Sequence, residues 1–297
     1  EADNLAKFLP SIFEQDYPSY EVVVVNDCSY DHTEDFLKQF ALQHSNLKIV
    51  TIQEDENYAH GKKIALMLGI KGAKNEHLLL TDADCKPADK YWLKGMMQHF
   101  TPDTDIVVGY GAYEKQKGFL NKIIRFDTFM IALQFLSFAL KRKTYMGTGR
   151  NLAYKKSLFF KLKGFASHYH IESGDDDLFV NEAVNKYNSN VQVNTSNHTI
   201  SRVKTTLEEW MNQKRRHIST FANYSSSSKV RLMLLTGSQY LFFATFIALL
   251  ILNVGLFLIL FLFLLRLLIQ IIIFKKSMAE LGERDLLLLS PVIELIL

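Results

Sequence analysis

The sequence has little cysteine and little net charge, and one long stretch has almost no charged residues. Its two cysteines, Cys28 and Cys85, are too few for the disulfide framework that stabilises small secreted domains. They are typical of reduced, cytosolic thiols. The formal net charge of +3 is too small to indicate a nucleic-acid-binding protein. No internal repeat is visible.

The stretch without charges runs over residues 232–274, where Arg266 is the only charged side chain. A helix that crosses a bilayer needs about 20 mostly apolar residues. The stretch is therefore long enough for two short spans, with a reversal of direction at Asn253-Val254-Gly255. Arg266 would lie inside the second span and either face a neighbouring helix or reach toward the membrane interface.

The flanks of this stretch support a hairpin with both ends in the cytoplasm. Positive residues tend to stay on the cytoplasmic side of a membrane, and they flank the stretch on both sides: Arg215, Arg216, Lys229, Arg231, Lys275 and Lys276. The alternative is a pair of helices buried in a soluble core. The length of the stretch and its lack of charge argue against that alternative.

The first half of the chain alternates between strand and helix patterns. Strands are predicted at residues 20–25, 47–52, 77–80 and 105–109, and helices at residues 32–43, 61–73 and 89–100. Continuous apolar runs such as EVVVV are typical of parallel strands covered on both faces. The alternation predicts an α/β fold with a doubly wound, mostly parallel sheet. Ligands bind such sheets at the carboxyl ends of the strands.

The second half is less regular. The apolar segment at residues 119–140 predicts a helix that either lies on the membrane surface or packs in the core. A short strand is predicted at residues 152–154, and helices are predicted over residues 173–186 and 207–224. Residues 225–228 read as a hinge before the apolar stretch.

The motif TDADC at residues 81–85 follows a predicted buried strand. Asp82 and Asp84 could bridge one metal ion, and carboxylate oxygens suit Mg²⁺ or Mn²⁺, which can neutralise a diphosphate. A solvated turn is the alternative interpretation.

The acidic run at residues 175–177 opens a predicted helix. Crowding raises the pKa of at least one of three adjacent carboxylates, which suits a general base near neutral pH. The alternative is that the carboxylates only stabilise the helix N-terminus. Arg215 and Arg216 could offset the charge of a diphosphate leaving group, or serve as the cytoplasmic flank of a membrane helix.

Six motifs occur in an order that resembles family 2 glycosyltransferases: VVVVNDCSYDHT, NYAHGKKIAL, TDADCKP, GTGRNLAYKKSLF, GDDDLF and QKRRH. Over roughly residues 1–224, the chain resembles membrane-attached members such as poly-N-acetylglucosamine, cellulose and hyaluronan synthases and ceramide glucosyltransferases. The resemblance implies a GT-A fold followed by a C-terminal transmembrane helical hairpin.

The resemblance also implies roles for individual residues. Asp27 would hold the uracil of a UDP-sugar, and Lys62 would lie near the nucleotide. Asp84 would bind the metal directly, with Asp82 at the ribose or metal shell. Asp175 would be the general base for inverting displacement. Two further residues, Gln213 and Arg216, match the motif at the donor diphosphate and acceptor entrance.

Three departures from the family pattern are visible. Glu1 resembles the end of a first strand that is missing here, Gly174 replaces a glutamate before the base, and His217 replaces a tryptophan. Asp176 or Asp177 could therefore share the proton chemistry, and processivity is in question. Tyrosines that could line an acceptor groove, although strand-end aromatics are more often core residues, are Tyr110, Tyr113 and Tyr145.

The implied organisation is a catalytic domain at residues 1–224, a hinge at 225–231, a transmembrane hairpin at 232–276 and the start of a truncated membrane region at 277–297. The implied activity is sugar transfer from a UDP-sugar to a lipid-linked or glycan acceptor. The protein would lie in the inner membrane as a multi-pass protein, with its catalytic domain in the cytoplasm. Alternatives are a processive polysaccharide synthase, a nucleotidyltransferase and an inactive nucleotide-binding scaffold of an envelope assembly complex.

Overall fold

The computed structural model of the protein describes residues 1–53 and 61–297. The strands in these ranges are β1 (Val22–Asp27), β2 (Leu47–Ile52), β3 (His77–Leu80), β4 (Cys85–Pro87), β5 (Ile106–Gly109), β6 (Gly111–Tyr113), β7 (Leu152–Lys155), β8 (Ser189–Gln192) and β9 (Thr199–Ser201). The α-helices are α1 (Ala2–Phe13), α2 (Thr33–Gln43), α3 (Lys62–Gly72), α4 (Trp92–Met97), α5 (Phe119–Leu140), α6 (Lys156–Lys161), α7 (Asp177–Ala183), α8 (Leu207–Ser219), α9 (Ser226–Ile251), α10 (Leu256–Glu280) and α11 (Ser290–Ile296). Residues 57–60 of the NYAHGKKIAL motif lie outside the described residues.

The α/β class is confirmed, but the sheets are mixed rather than mostly parallel. Within the described residues the strands form the groups β1-β2, β3-β7-β5-β8 and β4-β9-β6. The pairs β1/β2, β5/β8 and β6/β9 are parallel, whereas β3/β7, β5/β7 and β4/β9 are antiparallel. The prediction missed this because an apolar run indicates burial on both faces but not the direction of the neighbouring strand.

The two central strands β5 and β7 are covered on both faces. Ile106 and Val108 pack into the main core with Leu152, whereas Val107 and Ala153 pack on the opposite face against Trp92 and Met96 of α4. Successive side chains of a strand point to opposite faces, so every residue of these apolar runs is buried. The carboxyl end of β5 is thereby fixed where Tyr110 leaves the sheet.

Helix α5 is a core helix. Phe126, Phe129 and Phe135 on this helix are almost completely buried in the main core. By length and composition α5 could also cross a membrane, but 44% of its most apolar window is buried inside the protein. Of the two interpretations that the sequence left open, packing in the core is the one observed.

Helices α9 and α10 are the other described helices long and apolar enough to cross a membrane. The most apolar window of α9 is 0% buried within the protein, and that of α10 is 6% buried. The two helices contact each other, and the rings of Phe246 and Phe263 stack with centroids 4.6 Å apart. Asn253 and Gly255 adopt positive φ angles of 53° and 61° in the short connection, which allows the chain to reverse.

Arg266 faces neighbouring helices. Its guanidinium lies 3.1 Å from Glu294 of α11 and donates a 3.0 Å hydrogen bond to Gln270. It also lies over the rings of Phe242 and Phe243 of α9. The one charge of the apolar stretch is therefore paired within the protein, as charges in apolar surroundings must be.

Several predicted boundaries differ from the structure. Helix α7 ends at Ala183 rather than residue 186, and α8 ends at Ser219, where a short 3₁₀ helix (Thr220–Asn223) follows. Residues 226–231 of the predicted hinge already belong to α9, and α10 continues to Glu280, beyond the predicted boundary at 276. Helix ends depend on tertiary contacts as well as on local sequence.

Candidate active site

A cavity of about 1080 Å³ lies where α3, α5, α7 and α8 meet the carboxyl ends of β3 and β5. Five of the seven predicted site residues are part of its lining: Lys62, Asp82, Asp175, Gln213 and Arg216. Asp27 and Asp84 are not among the lining residues. The cavity also reaches Leu232 and Thr236 in the first turns of α9.

Lys62 joins the two predicted acidic sites. It is the first residue of α3, and its Nζ atom lies 3.0 Å from Oδ1 of Asp82 and 3.1 Å from Oδ2 of Asp175. Desolvation alone would lower the pKa of Lys62, but the charges of Asp82, Asp175 and Asp176 outweigh it and raise the pKa. The ammonium group therefore stays charged between two carboxylates that are far apart in sequence.

The TDADC motif forms a tight turn between β3 and β4. The backbone N–H of Cys85 donates a 3.1 Å hydrogen bond to the carbonyl of Asp82, which brings both carboxylates and the thiol close together. The potential ligand atoms of Asp82, Asp84 and Cys85 lie within 4.8 Å of one another. Burial, followed by the charge of Asp82, raises the pKa of Asp84.

The carboxylate pair fits a hard divalent cation better than the thiol does. Burial and then the charge of Asp82 raise the pKa of Cys85 to about 12, and its Sγ lies 2.9 Å from Oγ of Ser201. Thiolates suit softer metals such as Zn²⁺ and Cu⁺. The donors that remain are carboxylate oxygens, which Mg²⁺ and Mn²⁺ prefer.

The three carboxylates of the acidic run have three different surroundings. Asp175 faces Lys62 and follows Gly174, whose φ of +98° favours glycine. Asp176 accepts 2.7 Å hydrogen bonds from the backbone N–H groups of Gly149 and Asp177. Burial, and then the charges of Asp175 and Asp177, raise the pKa of Asp176 to about 7. The expected raised pKa therefore falls on Asp176.

Asp177 connects α7 to the segment that follows α8. Its Oδ2 atom accepts hydrogen bonds from Oγ1 of Thr220 at 2.5 Å and from the hydroxyl of Tyr224 at 2.7 Å. The side chain is almost completely buried. Asp177 therefore holds the C-terminal end of α8 against the acidic run. Gln213 and Arg216 lie on this helix.

We expect Asp177→Asn to lower the free energy of unfolding by about 1 to 3 kcal/mol, because a buried hydroxyl loses its charged acceptor. Urea unfolding in detergent would measure the change, with the exposed Asp103→Asn as the control. In a double-mutant cycle with Tyr224→Phe, the two losses should not add. Additive losses would show that Asp177 acts through other contacts.

Helix α8 carries the predicted motif on its cavity face. Oε1 of Gln213 accepts a 3.3 Å hydrogen bond from the hydroxyl of Tyr113 in β6. The neighbouring Lys214 forms a salt bridge of 2.7 Å with Asp127 of α5. Arg216 and His217 also line the cavity, so the position that departs from the family pattern faces the same space.

Sequence reasoning left out Arg150, which lies in the GTGRN loop. Its guanidinium lies 4.4 Å from the ring centroid of Tyr113 and donates a 3.2 Å hydrogen bond to Oγ of Ser201. Arg150 lines the cavity, as do Tyr110, Tyr113 and Tyr145. A cation within a glycine-containing loop was the available signal, since such loops often face phosphates.

Asp27 is the last residue of β1 and is half-buried. The structure keeps it at a strand end, as predicted, but does not bring it into the lining of the cavity with Asp82 and Asp175.

Comparisons with known proteins agree on one family. The family model described as glycosyl transferase family 2 matches residues 1–162 of this 297-residue chain. The chain is 33% identical over 111 residues to the glycosyltransferase AglE of Haloferax volcanii, a match covering 37% of this chain and 35% of AglE. It is 32% identical over 84 residues to a poly-beta-1,6-N-acetyl-D-glucosamine synthase of Staphylococcus epidermidis, covering 28% of this chain and 19% of the synthase. The chain thus spans about a third of the first relative and about a fifth of the second.

A solved structure shares the fold over nearly the whole chain. It is the mannosyltransferase PcManGT from Pyrobaculum calidifontis in complex with GDP-Man and Mn²⁺, with a TM-score of 0.58 and 20% sequence identity. The match covers 99% of this chain and 84% of the mannosyltransferase. At this identity the likeness shows the fold alone, which is the GT-A glycosyltransferase fold.

Proposed function

Since the chain belongs to glycosyl transferase family 2 and is therefore a glycosyltransferase, we propose that it transfers a sugar from a UDP-sugar to a lipid-linked or glycan acceptor. The observation that carries the proposal is the position of Lys62. It contacts Asp82, the proposed donor-side carboxylate, and Asp175, the proposed base, in one cavity. The carboxylate proposed for the donor side and the carboxylate proposed for the acceptor side therefore contact the same ammonium group.

Asp175 is proposed to accept the proton of the acceptor hydroxyl. The acceptor oxygen then forms a bond to the anomeric carbon while the bond from that carbon to the diphosphate oxygen breaks. The sugar inverts its configuration, and UDP leaves with the bonding electrons. One carboxylate acting as a general base is sufficient for this one-step displacement. Binding of the diphosphate would attract Lys62 and free Asp175 to act as the base.

Positive side chains in the cavity would stabilise the leaving diphosphate. Lys62, Arg150 and Arg216 all line the space in front of the acidic run, and preorganised charges at a developing anion are an effective form of catalysis. Asp84, with Asp82 beside it, would hold Mg²⁺ or Mn²⁺, and the bound cation would supply charge neutralisation at the diphosphate. Asp27 is proposed to hold the uracil and Gln213 to bind at the diphosphate.

The acceptor is proposed to reach the site from the membrane. Helices α9 and α10 have the length and composition of membrane spans, and their most apolar windows are 0% and 6% buried. Because Leu232 and Thr236 of α9 belong to the cavity wall, the cavity extends to the start of the membrane segment. We propose a multi-pass protein of the inner membrane, with a catalytic domain at 1–224 that is joined through residues 225–231 to a hairpin at 232–276. The catalytic side faces the cytoplasm, where Lys229, Arg231, Lys275 and Lys276 flank the hairpin.

Membranes from cells that express the protein would test the proposal. UDP release and transfer of labelled sugar would be measured with a panel of UDP-sugars and Mn²⁺, and GDP-mannose would be included as a competing donor. We expect metal-dependent UDP release, with label in a lipid extract or a glycan. Label from GDP-mannose alone would show the donor class to be wrong. Nucleotide binding without turnover of any sugar would favour a scaffold, and a polymeric product would favour a processive synthase.

A further inference from the structure

A buried ion pair lies directly behind the wall of the cavity. Arg125 of α5 and Glu283, which follows α10, are 2% and 1% exposed. The Nε atom of Arg125 donates a 3.0 Å hydrogen bond to Glu283, and a second guanidinium nitrogen contacts the same oxygen. The guanidinium also contacts Asp285 through two hydrogen bonds of 2.8 Å and 2.7 Å. One arginine thus binds two carboxylates of the segment after α10.

Glu283 connects this pair to the cavity. Its second carboxylate oxygen accepts a 3.2 Å hydrogen bond from the hydroxyl of Tyr110, a buried residue that follows β5 and lines the cavity. The carbonyl of Tyr110 accepts a 3.0 Å hydrogen bond from Asn151 of the GTGRN loop. Gly109 allows this contact, since a Cβ there would lie 2.6 Å from Asn151. Tyr110 is therefore held from both sides.

The same segment is the end of the apolar helix pair. Gly282, with a φ of +74°, turns the chain after α10, and Lys115 donates a 2.7 Å hydrogen bond to its carbonyl. Met278 of α10 is completely buried in the core that contains Phe126 and Phe129 of α5. The position of α10 and the position of Glu283 are therefore fixed together.

Packing alone does not explain why this contact is ionic. Burial raises the pKa of Glu283 and is opposed by the charge of Arg125, as expected for an acid removed from water. Replacing a buried ion pair by apolar side chains of similar volume is often neutral or stabilising. What an arginine–carboxylate contact adds is direction, because its hydrogen bonds have a fixed geometry.

We propose that Glu283, oriented by Arg125, is a positioning residue for the transfer reaction, which fixes Tyr110 in the cavity wall and makes turnover depend on the seating of the end of α10. The inference rests on the proposed function, since it concerns the same cavity. Neither Glu283 nor Arg125 lines the cavity, so both act on the reaction through Tyr110. A displacement of about 1 Å in a positioned group can reduce a rate by up to about a hundredfold.

Three variants of the full-length protein would be compared with wild type in lipid nanodiscs. Tyr110→Phe removes only the hydroxyl that Glu283 binds, Glu283→Gln removes the charge, and Arg125→Met combined with Glu283→Met replaces the pair by apolar side chains. Lys117→Met is the matched control, because it removes an exposed positive charge two residues from Lys115 and leaves both the buried pair and the contacts of Lys115 in place. Turnover and KM would be measured with the donor that wild type uses, along with melting temperature and hydrogen exchange.

We expect each of the three variants to lower kcat about tenfold or more, with the KM for the donor changed less than about threefold. Hydrogen exchange should rise at residues 106–113 in these variants, and Lys117→Met should stay near wild type in both kcat and hydrogen exchange. Adding Tyr110→Phe to the double methionine variant decides the case. No buried hydroxyl then lacks an acceptor, so its melting temperature should stay near wild type while its kcat falls. Wild-type kcat in that variant, or losses that only follow melting temperature, would overturn the proposal. If wild type turned over no donor, the proposed function would fail, but the exchange measurement would still test the contact.

Discussion

Replacing Asp175 by asparagine is expected to lower kcat about a thousandfold, because a positioned general base contributes roughly 10²- to 10⁴-fold. Asparagine has nearly the same shape but cannot accept a proton from the acceptor hydroxyl. The change also removes one of the two carboxylates next to Lys62, while the contact of Lys62 with Asp82 remains. Donor binding should therefore change much less than turnover.

The measurement is steady-state transfer together with the dissociation constant for UDP. Glu172→Gln is the matched control, because Glu172 is an exposed acid that also lines the cavity. It should keep turnover within about threefold of wild type, as expected for an exposed position. Asp176→Asn would run in parallel, since the pKa of Asp176 is raised to about 7. Loss in Asp176→Asn with activity retained in Asp175→Asn would assign the base to Asp176.

The second large effect is expected at Asp84. We expect Asp84→Asn to weaken Mn²⁺ binding and to lower kcat/KM by about 10²- to 10³-fold, the usual loss when one group that stabilises transition-state charge is removed. Titration of Mn²⁺ followed by electron paramagnetic resonance in the presence of UDP would measure binding without turnover. We expect Asp84→Asn to show weaker Mn²⁺ binding in this titration and a lower kcat/KM in the transfer assay.

Two variants control for this result. Cys85→Ser should keep most of the activity, since the thiol contacts Ser201 and hard cations prefer carboxylate oxygens to sulfur. The exposed Asp103→Asn should have no effect. If Asp84→Asn bound Mn²⁺ as wild type does, the assignment of the metal site to this motif would be wrong. If Cys85→Ser lost binding as well, the thiol would have to be counted as a ligand.

The sequence predicted a structural feature correctly where the residue pattern has only one physical explanation. Strands were predicted at residues 105–109 and 152–154, and both appear in the structure as β5 and β7. The motif TDADC was predicted to follow a strand, and it follows β3. Strand direction could not be predicted, because side chains buried on both faces look alike in parallel and antiparallel strands. The placement of α5 stayed open for a similar reason, since its composition suits a core and a membrane equally.

Contacts between distant positions were beyond the reach of the sequence. Lys62 was expected near the nucleotide, but nothing local indicated that it would contact both Asp82 and Asp175. Arg125 and Glu283 are 158 residues apart, and each resembles an ordinary charged residue beside an apolar segment. Only the fold shows that they are buried against each other, because burial depends on what the rest of the chain places around them.

The pair of helices α9 and α10 is attached to the rest of the protein at both of its ends. At the start of α9, the backbone N–H of Ser225 donates a 2.7 Å hydrogen bond to Asn181 of α7, and at the end of α10 Glu283 binds Arg125. A domain attached at two points cannot rotate relative to its membrane segment as it could if one connection alone held it. If the pair crosses the bilayer as proposed, the acidic run lies at a constant height above the membrane surface. The enzyme would then favour acceptors whose reactive hydroxyl lies at that same height above the membrane surface.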